Sequence, residues 1–182
     1  MKDLEFYADT SGSVYVSYPD GTTKMIRENS RDIITDLLSM ISDLKPDTYD
    51  ALMDTYSKYS KNKVYYEFRM AQRYIRCNWP RFDNTKKDID SDGHLNGEPF
   101  FCPLRDECQL SGIVCNSRIN TTLTEREKEV FALIAEGLQA EAIANRLFLS
   151  IHTINRHREN IKVKIEVRSV AEMVAWWHKN KP

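Results

Sequence analysis

The chain has 182 residues, enough for one or two small domains each with a modest core. Hydrophobic residues at 41 % and charged residues at 29 % exclude a disordered chain, and the longest apolar runs are too short to span a bilayer. The net charge of -1 does not point to nucleic acid, so charge has to be counted locally.

The start, MKDLEFYADT, is acidic and lacks the apolar stretch of a secretory signal. A reducing, cytoplasmic location is therefore expected, with no membrane association. From Met1 to about Arg27 the pattern is β. Val14 to Tyr18 and Thr22 to Ile26 flank Pro19-Asp20-Gly21, and an Asp-Gly turn between such runs predicts a hairpin. Leu4 to Tyr7 is a candidate third strand.

From Ser30 to about Asn78 the pattern is helical. Ile33, Ile34, Leu37, Leu38, Ile41 and Leu44 recur at three-to-four spacing, with Ser30 as expected N-cap and Pro46 separating this helix from the next. Tyr49, Leu52, Met53 and Tyr56 continue the pattern. A third helix carries Val64, Tyr65, Phe68, Ala71, Ile75 and Cys77.

From Pro80 to about Asn120 the chain is irregular. It holds Cys102, Cys108 and Cys115, which with Cys77 give the spacing C-x24-C-x5-C-x6-C. Four thiolates can hold a tetrahedral Zn and pin this loop to the third helix. An iron–sulfur cluster is the less favoured alternative, and reduced thiols or a redox sensor remain open. His94 is a candidate substitute ligand. Asp88 to Gly93 looks like the start of a calcium loop, but the twelfth position is Pro99 where a bidentate Glu belongs, so an acidic turn is expected.

The helical pattern resumes at Leu123. Thr124 and Glu127 fit a capping box, and Val130, Phe131, Ile134 and Ala135 form an inward stripe. Gly137 ends that helix. A short helix with Ala140, Ile143, Ala144 and Leu147 inward follows, and Ser150 caps the next. A fourth helix starts near Ser169. Two short helices joined tightly, the second opening with small polar residues, make a helix-turn-helix pattern. From Leu123 to Glu141 two basic residues face five acidic ones, whereas from Ala142 to Pro182 eight basic residues face three acidic ones. The basic excess lies with the candidate recognition helix.

Leu123, Thr124, Arg126, Glu127, Glu129 and Val130, followed by Gly137, Ile143, Ala144, Ser150, Thr153, His157, Ile161 and Lys164, closely resemble the LuxR (GerE-type) DNA-binding family. Ile154 and Ile165 stand where that pattern usually has Val and Leu. The resemblance covers about a third of the chain. It implies double-stranded DNA as the partner and a homodimer through the last helix, whose Met173, Val174, Trp176 and Trp177 are the candidate contacts.

On the helix after Ser150, His152, Asn155, Arg156 and Glu159 are candidates for base edges, since Asn pairs with adenine and Arg with guanine. Thr153, Arg158, Lys162, Lys164 and Arg168 suit phosphates. His157 is either an interface residue or a core one.

The expected fold is mainly α. It has a small N-terminal hairpin, a helical middle and a cysteine-containing loop over residues 1–120, then a four-helix domain over 121–182. A phosphoacceptor receiver fits residues 1–122 poorly, because it needs alternating strands and helices. No phosphate loop, nucleophile elbow or paired carboxylates argue for an enzyme. The function read from the sequence is a DNA-binding transcription regulator. The alternatives are a protein-interaction module built on the same helix-turn-helix, or a metal- or redox-sensing regulator.

Overall fold

The computed structural model describes residues 1–83, 86–97, 102–115 and 122–180, so Pro99 of the calcium-loop comparison lies outside them. The chain divides into two compact units, Met1–Ile119 and Asn120–Pro182. Among the described residues, no helix is long and apolar enough to cross a membrane.

The first unit opens with three antiparallel strands in the order β1 (Glu5–Ala8), β2 (Val14–Ser17) and β3 (Thr23–Ile26). The predicted Asp-Gly turn joins β2 to β3. Gly21 adopts φ +82 and its N–H donates to the Tyr18 carbonyl at 2.9 Å, while Asp20 Oδ1 accepts from the backbone and hydroxyl of Thr22. The predicted third strand forms one residue later than expected, as Glu5–Ala8, with Glu5 opposite Ser17. Phe6, Val14, Val16 and Ile26 are buried. They face the helical layer, as alternation on a one-sided sheet requires.

Three helices follow: α1 (Arg31–Leu44), α2 (Pro46–Tyr56) and α3 (Lys63–Asn78). The predicted stripe of α1 is buried at Ile34, Leu37, Leu38, Ile41 and Leu44, whereas Ile33 at its edge is only half-buried. Each such side chain stabilises the fold by about 1.5–3 kcal/mol. Ser30 departs from expectation. Its hydroxyl accepts from the Arg27 N–H at 3.1 Å, closing a turn behind the helix, and makes no cap bond to α1. Asn62 caps α3 instead of any residue singled out in the sequence, accepting from Tyr65 N at 3.2 Å. An antiparallel sheet followed by three helices differs from the alternating, parallel arrangement of a receiver.

After α3, Trp79 is fully buried, stacks on Phe6 at 5.0 Å and meets Tyr74 edge-on at 5.1 Å. Its indole N–H donates to the Asn96 carbonyl at 2.6 Å. Ile89 bridges to Leu4, and Asp88 Oδ2 accepts the Phe6 N–H at 2.6 Å. The first part of the irregular segment is thus fastened to β1.

The second unit holds α4 (Glu125–Ala135), α5 (Ala140–Leu147), α6 (Ile151–Lys164) and α7 (Val170–Asn180). Its core is Val130, Phe131, Ile134, Ile143, Ala144, Ile154, Ile161 and Met173, with smaller contributions around them.

Candidate nucleic-acid interface

The candidate interface is built on α6, and its placement follows from local chemistry at each helix end. Thr124 accepts from Glu127 N at 3.2 Å while Glu127 Oε2 accepts from Thr124 N at 2.7 Å, a complete capping box that starts α4. Gly137, at φ +87, ends α4 in the left-handed conformation. Ser150 starts α6 by accepting from Thr153 N at 3.0 Å. Between α5 and α6 the chain turns at Phe148, which adopts φ +54 and is 95 % exposed. The helical periodicity gives no sign of this residue, because it belongs to neither stripe.

Ile154 and Ile161 anchor α6 in the core. The opposite side presents His152 and Asn155, both exposed, with Arg156 and Glu159 half-buried beside them. Positions 152, 155, 156 and 159 are three or four apart and therefore share a face. Their donors and acceptors match what base edges offer in a major groove. Arg158 and His157 are half-buried on the flanks, and Arg168 is exposed just beyond the helix.

Three of the phosphate candidates are placed otherwise. Lys164 is 1 % exposed at its side chain, and its ammonium meets Glu127 Oε2 at 2.9 Å. It joins the end of α6 to the capping box of α4, so the phosphate role expected for it is corrected to a structural one. A buried ammonium already paired with a carboxylate cannot reach a phosphate without leaving that partner uncompensated. Lys162 is also largely buried and pairs with Glu159 at 2.7 Å. The Thr153 hydroxyl shares a hydrogen bond with Ser150 Oγ at 2.8 Å. Arg126, noticed only as a motif position, has a comparable structural job. It donates to the Leu147 carbonyl at 2.8 Å and pairs with Glu129 at 2.5 Å, linking α4 to the end of α5.

The tryptophans of α7 face their own domain. The rings of Trp176 and Trp177 lie 5.8 and 4.9 Å from that of Phe131, and both pack on the core. Both remain half-buried while packing on that core. The exposed residues of α7 include Ala171 and Ala175 together with Glu172, His178 and Lys179, with Val174 half-buried alongside.

In the first unit, Cys77, Cys102, Cys108 and Cys115 are free, half-buried thiols that line one cavity of about 270 Å³. Arg73 donates to Cys108 Sγ at 3.3 Å. Burial pushes the Cys77 thiol up, and the Arg73 guanidinium pulls it the other way. His94 stands elsewhere, with Nδ1 3.1 Å from Asp90. The Asp90 carboxylate also accepts from the N–H groups of Asp92 and His94 at 3.0 and 2.9 Å, so this acidic turn closes on itself.

Residues 121–177 match the family of bacterial regulatory proteins, luxR family, and form its helix-turn-helix domain. The chain is 34 % identical over 98 residues to an uncharacterised response regulatory protein, YgeK, of Escherichia coli, covering 54 % of this chain and 65 % of that protein. It is 35 % identical over 65 residues to the transcriptional regulatory protein LiaR of Bacillus subtilis, covering 36 % and 31 %. It is 30 % identical over 116 residues to the CsgBAC operon transcriptional regulatory protein of Escherichia coli, covering 57 % and 53 %. The chain thus spans less than two thirds of the length of these relatives. No solved structure matches the chain significantly.

Proposed function

We infer, from a chain whose residues 121–177 form a luxR-family domain, that this protein is a sequence-specific DNA-binding transcription regulator and not an enzyme. The observation that carries the reading is the outward face of α6. It sets His152, Asn155 and Arg156 on one side of a helix whose other side is locked into the core by Ile154 and Ile161. A rigid backing is what side chains need to hold register against base edges. Asn155 and Arg156 read bases, His152 and Glu159 adjust that readout, and Arg158 and Arg168 contact the backbone. The protein acts in the cytoplasm as a homodimer through α7, each copy reading one half-site.

Selection of bound sequences from a random duplex pool tests this. The expected result is an enriched motif with two related half-sites. Asn155→Ala or Arg156→Ala is expected to cost about 1–3 kcal/mol at that motif and to relax preference at one base pair. No enrichment by the wild type, with the domain folded, would overturn the reading. An unchanged motif in both variants would reverse the assigned face of α6.

A further inference from the structure

We propose that Cys77, Cys102, Cys108 and Cys115 hold one four-iron iron–sulfur cluster, a site that lies wholly within the first unit and is independent of the DNA-binding reading. Three separate features of the structure converge on it.

The first is convergence itself. Cys77 sits in the last turns of α3, and the other three come from turns far along the chain, yet all four line the same cavity. The last of these turns is held in place by bonds that do not involve sulfur. Thr48 donates to the Ile113 carbonyl at 2.7 Å, Asn78 donates to the Val114 carbonyl at 3.1 Å, and Val114 is fully buried. The turn that carries Cys115 is therefore positioned by α2 and α3.

The second is scale. Tetrahedral Zn with its short bonds to sulfur requires sulfurs about 3.8 Å apart. Among the described residues, the cluster of ligand atoms that gathers within 4.8 Å is Asp90, Asp92 and His94, and no three of the four sulfurs do so. A cubane places its four cysteine sulfurs roughly 6 Å apart, around a body of several atoms. The cavity of about 270 Å³ is far larger than one ion needs and accommodates such a body. Sulfurs spread more widely than a Zn tetrahedron, around a cavity of this size, suit the cluster better than the single Zn favoured from the sequence.

The third is charge. Four thiolates and a cluster carry net negative charge, and Arg73, Arg76 and Arg105 all line the cavity. Arg73 already directs an N–H at Cys108 Sγ. Hydrogen bonds to the sulfurs are among the features that tune such clusters. On ligation each thiol gives up its proton to solvent, and the iron and sulfide come from cellular cluster supply.

The test uses the full chain, purified anaerobically without chelator and, separately, reconstituted with equal amounts of ferric and ferrous iron and with sulfide. The expected result is about four irons and four sulfides per chain, with a brown colour and broad absorbance in the visible. Cys102→Ser and Cys108→Ser are expected to lose most of the iron while circular dichroism stays unchanged. Arg73→Lys keeps every ligand and is expected to shift the cluster's reduction potential, a change that a purely packing role would not produce. One Zn per chain without sulfide would overturn the cluster. A metal-free chain after reconstitution, with four freely reactive thiols in the folded state, would overturn the site.

Discussion

Lys164 and Glu127 show how one residue can look like a nucleic-acid contact and be something else. The lysine closes a basic stretch, but its ammonium and the Glu127 carboxylate are both nearly inaccessible. Glu127 Oε2 accepts from Thr124 N and from Lys164 together. Truncating one member of such a pair leaves a buried, uncompensated charge and costs about 3–5 kcal/mol. Lys164→Ala is therefore expected to lower the urea midpoint of the domain sharply. An unchanged midpoint with a weaker salt dependence of DNA binding would restore the phosphate role. The sequence shows the capping box because its partners are three residues apart. It cannot show the lysine's partner, which lies 37 positions away.

A second residue carries a pH signature. Lys45, between α1 and α2, is 7 % exposed, with its ammonium 5.7 Å from the centre of the Tyr74 ring. Burial pulls it from 10.5 down to about 8. A lowered ammonium pKa means that the folded state binds fewer protons than the unfolded state between those values. The cost to stability is therefore full below pH 8 and relieved as pH rises toward 10.5. It amounts to at most about 3 kcal/mol. Lys45→Met is expected to be more stable than wild type at pH 7, with the difference shrinking by pH 10. Urea melts of both proteins at the two pH values decide it, and a gap that does not change with pH would refute the assignment.

At the scale of elements, stripes and caps written within one turn of helix are readable, and contacts between elements are not. Gly137 and Ser150 end and begin helices where their chemistry places them. Ser30 has the same chemistry but spends its hydroxyl on Arg27, because the chain turns sharply after β3. The tryptophans of α7 are the clearest case. Apolar residues near a helix end serve equally for a core or for a partner, and periodicity does not say which. Their packing on Phe131 supports the core role. Trp177→Glu is expected to force a carboxylate against the core and unfold the domain, at a cost of 3 kcal/mol or so. Circular dichroism would show lost helix. A folded monomer in its place would return Trp177 to an interface.

At the scale of the whole molecule, the chain divides into two compact units, and the proposed cluster and the proposed DNA interface fall in different ones. The cysteines were visible as a set, but not the spread of their sulfurs, which depends on how α2 and α3 hold the turns around Val114. Dimerisation belongs to this scale too, and the packing of the tryptophans moves its expected surface. Along α7, Ala171 and Ala175 are exposed and Val174 is half-buried, all within reach of one another on a helix surface. Small side chains allow a second α7 to approach closely, and a two-fold axis there would pair each residue with its own kind. Ala175→Glu places a carboxylate at that axis without touching the core, so the fold should survive. Sedimentation should then report a monomer, and the operator should lose tenfold or more in affinity as each half-site binds alone, since avidity is worth at least that much. The half-sites recovered by selection should lie about one helical turn apart, centre to centre. A variant that sediments as wild type does, with the same paired half-sites, would place the dimer contact somewhere other than α7.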